Sequence, residues 1–151
     1  MSDIKIKVLL IEEDEDAAAD IQAMLNGSEH PRFQVTRARD LVSGMELLTE
    51  EEYHAVILDS AVCGDLAAKA VTTIQTVAAE PAVILLASPD QESNTTRGIF
   101  AGAVEYFVLD EFDPAEFKLR LRRTIAKHWI QRQFEPARYA GAAVPPVAGI
   151  D

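Results

Sequence analysis

Cysteine is almost absent from this chain. Cys63 is the only one among 151 residues, so no internal disulfide can form, and this composition favours a reducing compartment. Long apolar runs are also missing. No stretch approaches the roughly 20 apolar residues that a helix needs to cross a bilayer. The apolar run near the start ends at Glu12 and Glu13 and is too short and too charged for a signal peptide. We therefore expect a cytoplasmic protein that does not contact membranes.

Basic residues are scarce. Fourteen Lys and Arg stand against 25 Asp and Glu, which gives a net charge of −11. An acidic body argues against a nucleic-acid-binding surface. The exception is the segment from Ala115 to Phe134, where basic residues predominate. We interpret it as a solvated helix face that pairs with acidic surface, and we expect no nucleic-acid partner.

Short apolar segments alternate with amphipathic ones along the chain. The predicted strands cover residues 4–11, 33–38, 55–58, 82–86 and 104–108. The predicted helices cover residues 16–25, 41–48, 65–79, 92–101 and 113–134. Such alternation produces a parallel sheet with helices on both faces. Residues 1–134 therefore form one α/β domain, and the Ala- and Pro-rich residues 135–151 are interpreted as a tail or linker.

Acidic residues follow two of the predicted strands. Glu12 and Glu13 come directly after the first strand, and Asp59 follows the third. In a doubly wound sheet of order 2-1-3-4-5 these strands are neighbours, and chemistry occurs beyond their carboxyl ends. Three converging carboxylates repel each other unless a cation binds among them or one is protonated. The pattern predicts a weak Mg²⁺ site; alternatively, the acids only interact with the dipole of the following helix.

Three motifs carry a specific resemblance. They are "KVLLIEEDED" at the first strand, "YHAVILDS" at the third and "AGAVEYFV" at the fifth. Together they resemble the receiver domains of response regulators, the CheY-like family, over about residues 5–131. The resemblance implies a five-stranded flavodoxin-like fold and a Mg²⁺-binding acidic pair at Glu12 and Glu13. It also implies that Asp59 accepts a phosphoryl group from a histidine kinase and that Tyr106 is the aromatic switch residue.

The departures from the family pattern are equally informative. The usual Thr or Ser that ends the fourth strand is Ala87, and Ser88 comes one place late. The usual Lys after the fifth strand is Leu109. A ligand shifts a two-state equilibrium only through the difference between its affinities for the two states. Because these switch positions lack the hydroxyl and the amine, a phosphoryl group on Asp59 would shift the equilibrium little. The resemblance therefore predicts an atypical, non-enzymatic receiver that acts through protein–protein contacts, with a kinase or another signalling protein as partner.

Three alternatives remain at this stage. The first is an ordinary receiver in which Asp59 is phosphorylated by a histidine kinase. The second is a Mg²⁺-dependent phosphohydrolase, which is disfavoured because no Lys or Arg stands at a predicted strand end to hold the transferred group. The third is a flavodoxin-like cofactor binder, which is disfavoured because the acids after the first strand would repel a phosphate.

The last predicted helix carries apolar residues on two sides. The stripe predicted to face the sheet comprises Phe117, Leu121, Thr124 and Ile125. Trp129, Ile130 and Phe134 are predicted to overhang the sheet and remain exposed. Exposed aromatic and aliphatic side chains within a basic rim indicate an interaction surface. We therefore expect a homodimer or docking to another domain, unless the Ala- and Pro-rich tail covers these residues.

Overall fold

The computed structural model describes residues 5–27, 31–63, 66–87, 101–108 and 113–134. Its strands are β1 (Lys5–Ile11), β2 (Arg32–Ala38), β3 (Ala55–Asp59), β4 (Ala82–Ala87) and β5 (Glu105–Val108). Its helices are α1 (Glu15–Leu25), α2 (Leu41–Glu50), α3 (Ser60–Cys63), α4 (Ala67–Val77) and α5 (Pro114–Phe134). Within these described parts, no helix is long and apolar enough to cross a membrane.

The five strands form one parallel sheet in the order β2-β1-β3-β4-β5. This confirms the predicted topology. Strand β1 lies inside the sheet and pairs with β2 on one side and β3 on the other, and Val8–Ile11 are fully buried. The continuous apolar run of β1 therefore reflects burial on both faces rather than on one.

Alternate residues of each strand point to opposite faces, which creates two cores. On one face Val8, Leu10 and Ile57 pack with residues of α1 and α5. On the other face Leu9 and Ile11 pack with residues of α2 and α4. Helices thus cover both faces, as predicted, and in sheets of this kind ligands bind beyond the carboxyl ends of the strands.

Aspartate caps fix where three helices begin. Asp40 accepts a hydrogen bond from the Ser43 amide at 2.8 Å, and Asp113 accepts one from the Glu116 amide at 2.8 Å. Asp14 caps α1 through the Asp16 and Ala17 amides, so the acidic run after β1 also supplies a helix cap.

Helix α2 lies close against the sheet at Gly44. A Cβ atom built there would stand 2.7 Å from Cδ1 of Ile11. The missing side chain lets the helix backbone approach the end of β1, and the loop that follows β1 begins at this point. Gly44 thus contributes to the packing directly beneath the strand ends.

Some predicted boundaries differ from the structure. The helix predicted over residues 65–79 corresponds to α4, which is two residues shorter at each end, and an unpredicted short helix, α3, precedes it. Strand β4 extends one residue further than predicted and includes Ala87. The predicted helix over residues 92–101 falls largely outside the described residues, as do Ser88 and Leu109.

The inward stripe of α5 is confirmed by Phe117, Leu121 and Ile125, which are all buried. The predicted exposure of Trp129 is wrong, because this residue is half-buried against the same core. Its indole N–H donates to the backbone oxygen of His54 at 2.9 Å.

Trp129 is partly buried because the contacts of α5 extend beyond the sheet. The helix continues over the segments that precede β3 and β4, where the ring Nε2 of His128 lies 2.8 Å from the Glu80 oxygen. Ile130 is exposed as predicted, at 54%. The side chain of Phe134 lies outside the described residues.

Candidate functional site

The candidate site lies at the carboxyl ends of β1, β3 and β4. Glu12 directly follows β1 and is only 2% exposed, whereas Asp59 ends β3 and is half-buried. Asp59 is the register partner of Leu86, so Ala87 comes one residue beyond the position beside it. The structure therefore brings together the side chains of Glu12 and Asp59, two of the three predicted carboxylates.

The two carboxyl groups interact directly. Burial of Glu12, the side-chain hydrogen bond to Asp59 and the negative charge of Asp59 together raise the pKa of Glu12 from 4.5 to about 8. A hydrogen bond from the Asp14 amide to Oε2 of Glu12, 3.2 Å long, opposes this rise. At neutral pH Glu12 therefore keeps its proton, which relieves the repulsion between the two carboxyl groups.

Backbone contacts hold the loop after β1 in place. The Glu12 amide donates to the Ala38 oxygen at 3.0 Å. The guanidinium of Arg37 donates from Nε to the Glu12 oxygen at 2.9 Å and from Nη2 to the Glu13 oxygen at 3.0 Å. Across the site, Oδ1 of Asp59 accepts the Ala61 amide at 3.0 Å. Both carboxylates therefore stand on backbone that is anchored on either side of the site.

Sequence reasoning missed Arg37. The available signal was its place next to Ala38, whose parallel register partner is Ile11 at the end of β1. A cation at the penultimate position of the strand that pairs with β1 can reach the loop that follows β1. An arginine in an otherwise acidic neighbourhood was therefore a recognisable candidate for a structural partner of that loop.

The third predicted metal ligand does not join the pair. Glu13 is exposed, and within the ranges that the structure describes no three His, Cys, Asp or Glu side chains assemble into a metal-binding group. Mg²⁺ is usually held by one or two carboxylates and keeps several waters. Glu12 and Asp59 fit that requirement, because a divalent cation could replace the proton that Glu12 holds.

The switch position at the end of β4 is apolar. Ala87 is 9% exposed and is the register partner of Val108 in β5. The nearby hydroxyl of Ser60 donates to the Leu86 oxygen at 2.8 Å and is fully buried. Neither residue thus presents an uncommitted hydroxyl toward Asp59.

Tyr106 lies in β5, half-buried, and its side chain packs against the core on the α4 side of the sheet. Its register partner is Leu85, so it stands two strands away from Asp59 within the same sheet. The other two predicted switch positions, Ser88 and Leu109, lie outside the described residues.

One known protein family matches this chain. The family model described as the response regulator receiver domain matches residues 8–122. No curated protein is significantly similar to the chain. Many solved structures share the fold, and three illustrate the range.

A receiver domain protein from Clostridium thermocellum is 19% identical, with a TM-score of 0.68, covering 85% of this chain and 98% of that one. The signal receiver domain of an HD domain-containing protein from Pseudomonas fluorescens Pf-5 is 19% identical, with a TM-score of 0.74 and coverage of 88% and 96%. The receiver domain of a sensor histidine kinase from Pseudomonas aeruginosa PAO1 is 22% identical, with a TM-score of 0.65 and coverage of 81% and 98%. That third structure holds a magnesium ion in its active site cleft.

Proposed function

The chain belongs to the response regulator receiver domain family, and from that premise we propose that it is an atypical receiver of two-component signalling. In this proposal it acts in the cytoplasm through contacts with a histidine kinase or another signalling protein, while phosphorylation of Asp59 is weak or absent. Receiver domains are generally signalling modules rather than enzymes. The observation that carries the proposal is the apolar residue Ala87 at the end of β4.

Ala87 matters because of its place beside the phosphorylation position. It follows Leu86, the register partner of Asp59, at the position where the family resemblance implies a hydroxyl. A methyl group cannot donate a hydrogen bond to a phosphoryl oxygen. The neighbouring hydroxyl of Ser60 is already committed to the Leu86 oxygen. A phosphoryl group on Asp59 would therefore gain little that favours a second conformation of the domain.

Charge supports the same proposal. Burial and the neighbouring carboxyl of Asp59 already raise the pKa of Glu12 to about 8. A phosphoryl group would add about −1.5 to −2 more. The sequence has Leu109 where the family resemblance implies a lysine. We propose that Mg²⁺ binds weakly to Glu12 and Asp59, with Glu13 contributing at most from its exposed position, and that the ion is the main available counter-charge.

The decisive experiment is phosphorylation by acetyl phosphate with Mg²⁺, followed by intact mass. We expect slow and incomplete labelling of the wild type and none of Asp59→Asn. The double variant Ala87→Thr with Leu109→Lys restores the donor and the cation and should label faster. Rapid stoichiometric labelling of the wild type, accompanied by a change in oligomeric state, would refute the proposal.

The alternative function is that of an ordinary phospho-accepting receiver. It is favoured by the position of Asp59 at the end of β3, where its carboxylate is half-buried and its Oδ1 is oriented by the Ala61 amide. Beryllofluoride with Mg²⁺ imitates the phosphorylated state and separates the two functions. Large NMR shifts that spread from Asp59 to Tyr106 would support the alternative, whereas shifts confined to the site support an atypical receiver.

The outward face of α5 is the proposed protein-binding surface. Leu119 and Ile130 are 46% and 54% exposed, and the exposed cations Arg123 and Lys127 lie between them in sequence. The surface combines apolar contact area with positive charge. Its complement is therefore an apolar surface with an acidic rim.

An acid-rimmed groove of that kind lies on the same molecule, at the end of the sheet opposite to Asp59. It has a volume of about 290 Å³. Its lining residues are Leu48, Glu51, Glu52, Tyr53, Val77, Ala78, Glu80, Pro81 and Trp129. Because the chain carries both a basic apolar face and an acidic groove, a second copy is a suitable partner. We propose a homodimer, or docking to another domain, through Ile130 and Phe134 on α5, with the half-buried Trp129 contributing only as part of the groove lining.

Light scattering tests this surface. The wild type should show concentration-dependent association, and the double variant Ile130→Asp with Phe134→Asp should remain monomeric. Gln133→Asp is the matched control, since it adds negative charge at an exposed position of the same helix. A wild type that is monomeric at high concentration and identical to the double variant would exclude the homodimer.

A further inference from the structure

Arg37 is the penultimate residue of β2, yet its side chain contacts the loop that follows β1. Its Nε and Nη2 atoms donate to the consecutive backbone oxygens of Glu12 and Glu13 at 2.9 and 3.0 Å. A planar guanidinium presents these donors in a rigid fork and remains charged at any accessible pH. The two carbonyl groups are therefore held in one fixed relative orientation.

Strand β2 holds Glu12 from both of its peptide groups. The Glu12 amide donates to the Ala38 oxygen at 3.0 Å, and the Glu12 oxygen accepts from Arg37. With both flanking peptides fixed, the direction of the Glu12 side chain is restricted. That side chain accepts the Asp14 amide and meets Asp59.

The contact is to backbone oxygens and not to carboxylates. Arg37 is half-buried beside the loop, and the hydrogen bonds that it donates there go to main-chain atoms. It therefore does not replace the lysine that the family resemblance implies near the phosphorylation position. Its effect is on the geometry of the loop.

We propose that Arg37 is a positioning residue, which fixes the backbone of Glu12 and Glu13 so that the Glu12 carboxyl faces Asp59. The inference rests on the proposed Mg²⁺ and phosphoryl-group site and adds to it a residue from a different strand. It also makes the edge strand β2 part of the support of that site. Arg37 itself does not touch the ion.

The first test needs no metal. Amide hydrogen exchange is measured at Glu12, which donates to Ala38, and at Asp14, which donates to Glu12. Arg37→Met should exchange roughly five- to tenfold faster at both amides, as expected for losing a hydrogen-bonded anchor. Arg39→Met is the matched control, because it removes the same charge from an exposed position two residues away. Unchanged exchange in Arg37→Met would overturn the inference.

The second test measures Mg²⁺ affinity from NMR shifts of the Glu12 and Asp59 amides. Arg37→Met should weaken Mg²⁺ binding about tenfold, which corresponds to a loss of roughly 1.4 kcal/mol of binding free energy. Arg39→Met should bind Mg²⁺ within about twofold of the wild-type affinity. Arg37→Lys keeps the charge but loses the fork, so it should weaken binding as well. Wild-type affinity in Arg37→Lys would overturn a role for the fork.

The two tests separate the inference from the function on which it rests. No wild-type shift at tens of millimolar Mg²⁺ would overturn the proposed metal site, and the exchange measurement would still decide whether Arg37 positions Glu12. If Arg37→Met does not fold, the milder Arg37→Lys carries both measurements.

Discussion

Replacing Glu12 by glutamine isolates the energetic effect of ionising the buried Glu12 carboxyl. Folding raises the pKa of Glu12 from 4.5 to about 8 through burial and through the neighbouring carboxyl of Asp59. Between these two pH values the folded protein retains a proton that the unfolded chain releases. The unfolded state then binds fewer protons, so stability falls as the pH rises through this window. A glutamine side chain cannot ionise, so the Glu12→Gln variant should not lose this stability as the pH rises.

The magnitude follows from the pKa shift. At about 1.36 kcal/mol per pKa unit, the interval from pH 4.5 to pH 7 sets a ceiling of roughly 3 kcal/mol. Asp59 is only half-buried, so solvent screens part of its interaction with Glu12. We therefore expect Glu12→Gln to be more stable than wild type by about 1–2 kcal/mol at pH 7, with the difference vanishing near pH 4.5 and levelling off above pH 8.

Urea unfolding followed by circular dichroism, at pH values from 4.5 to 9 and in the presence of EDTA, measures this difference. Glu13→Gln removes a carboxylate at the exposed neighbouring position and keeps Glu12, so the fall in stability between pH 4.5 and 8 should persist in this control. The reasoning fails if the gap between wild type and Glu12→Gln is constant over this range, or if the variant is the less stable protein at pH 8.

Two further predictions concern α5. Phe117 is fully buried, with its ring edge-on to Phe107 at 5.6 Å, so Phe117→Ala should lower the unfolding free energy by about 3–5 kcal/mol. Leu119→Ala, at a 46% exposed position of the same helix, should cost about 0.5 kcal/mol in the same urea titration; equal losses would contradict the assigned orientation of α5. Burial lowers the pKa of His128 below 6.5, so the contribution of His128 to stability should fall as the pH drops from 7 toward 5, opposite in sign to the contribution of Glu12. Comparison with His128→Gln measures that loss, and parallel pH profiles would contradict it.

The sheet could be predicted because its apolar strands are short, separated and bounded by polar residues. Parallel order then placed Glu12 and Asp59 at neighbouring strand ends, and the structure brings them together. Glu13 is not clustered with them, because its side chain is exposed at the next position of the loop. Hydrophobic periodicity alone could not predict where the Glu13 side chain lies, because a loop after a strand has no fixed repeat.

Trp129 shows a different limit. Helical periodicity placed it at the edge of the buried stripe, and its exposure was inferred from the length of α5 relative to the sheet. The segments before β3 and β4 extend the surface that the helix covers, as the hydrogen bond from Trp129 to His54 shows. Arg37 was missed for a related reason, because its contacts are to backbone atoms of a loop that no sequence pattern positions.

The anchoring of Trp129 gives the protein a spectroscopic reporter. It is the only tryptophan in the chain, and its indole is bound to the residue that precedes β3, whereas Asp59 ends that strand. Five residues of strand separate the two ends by about 16 Å, at roughly 3.3 Å per residue. The fluorescence of Trp129 should therefore report whether α5 is packed on the domain. It should not respond to ions that bind at Glu12 and Asp59. One emission spectrum can thus establish, for any variant of the site, that the domain beneath it is still folded.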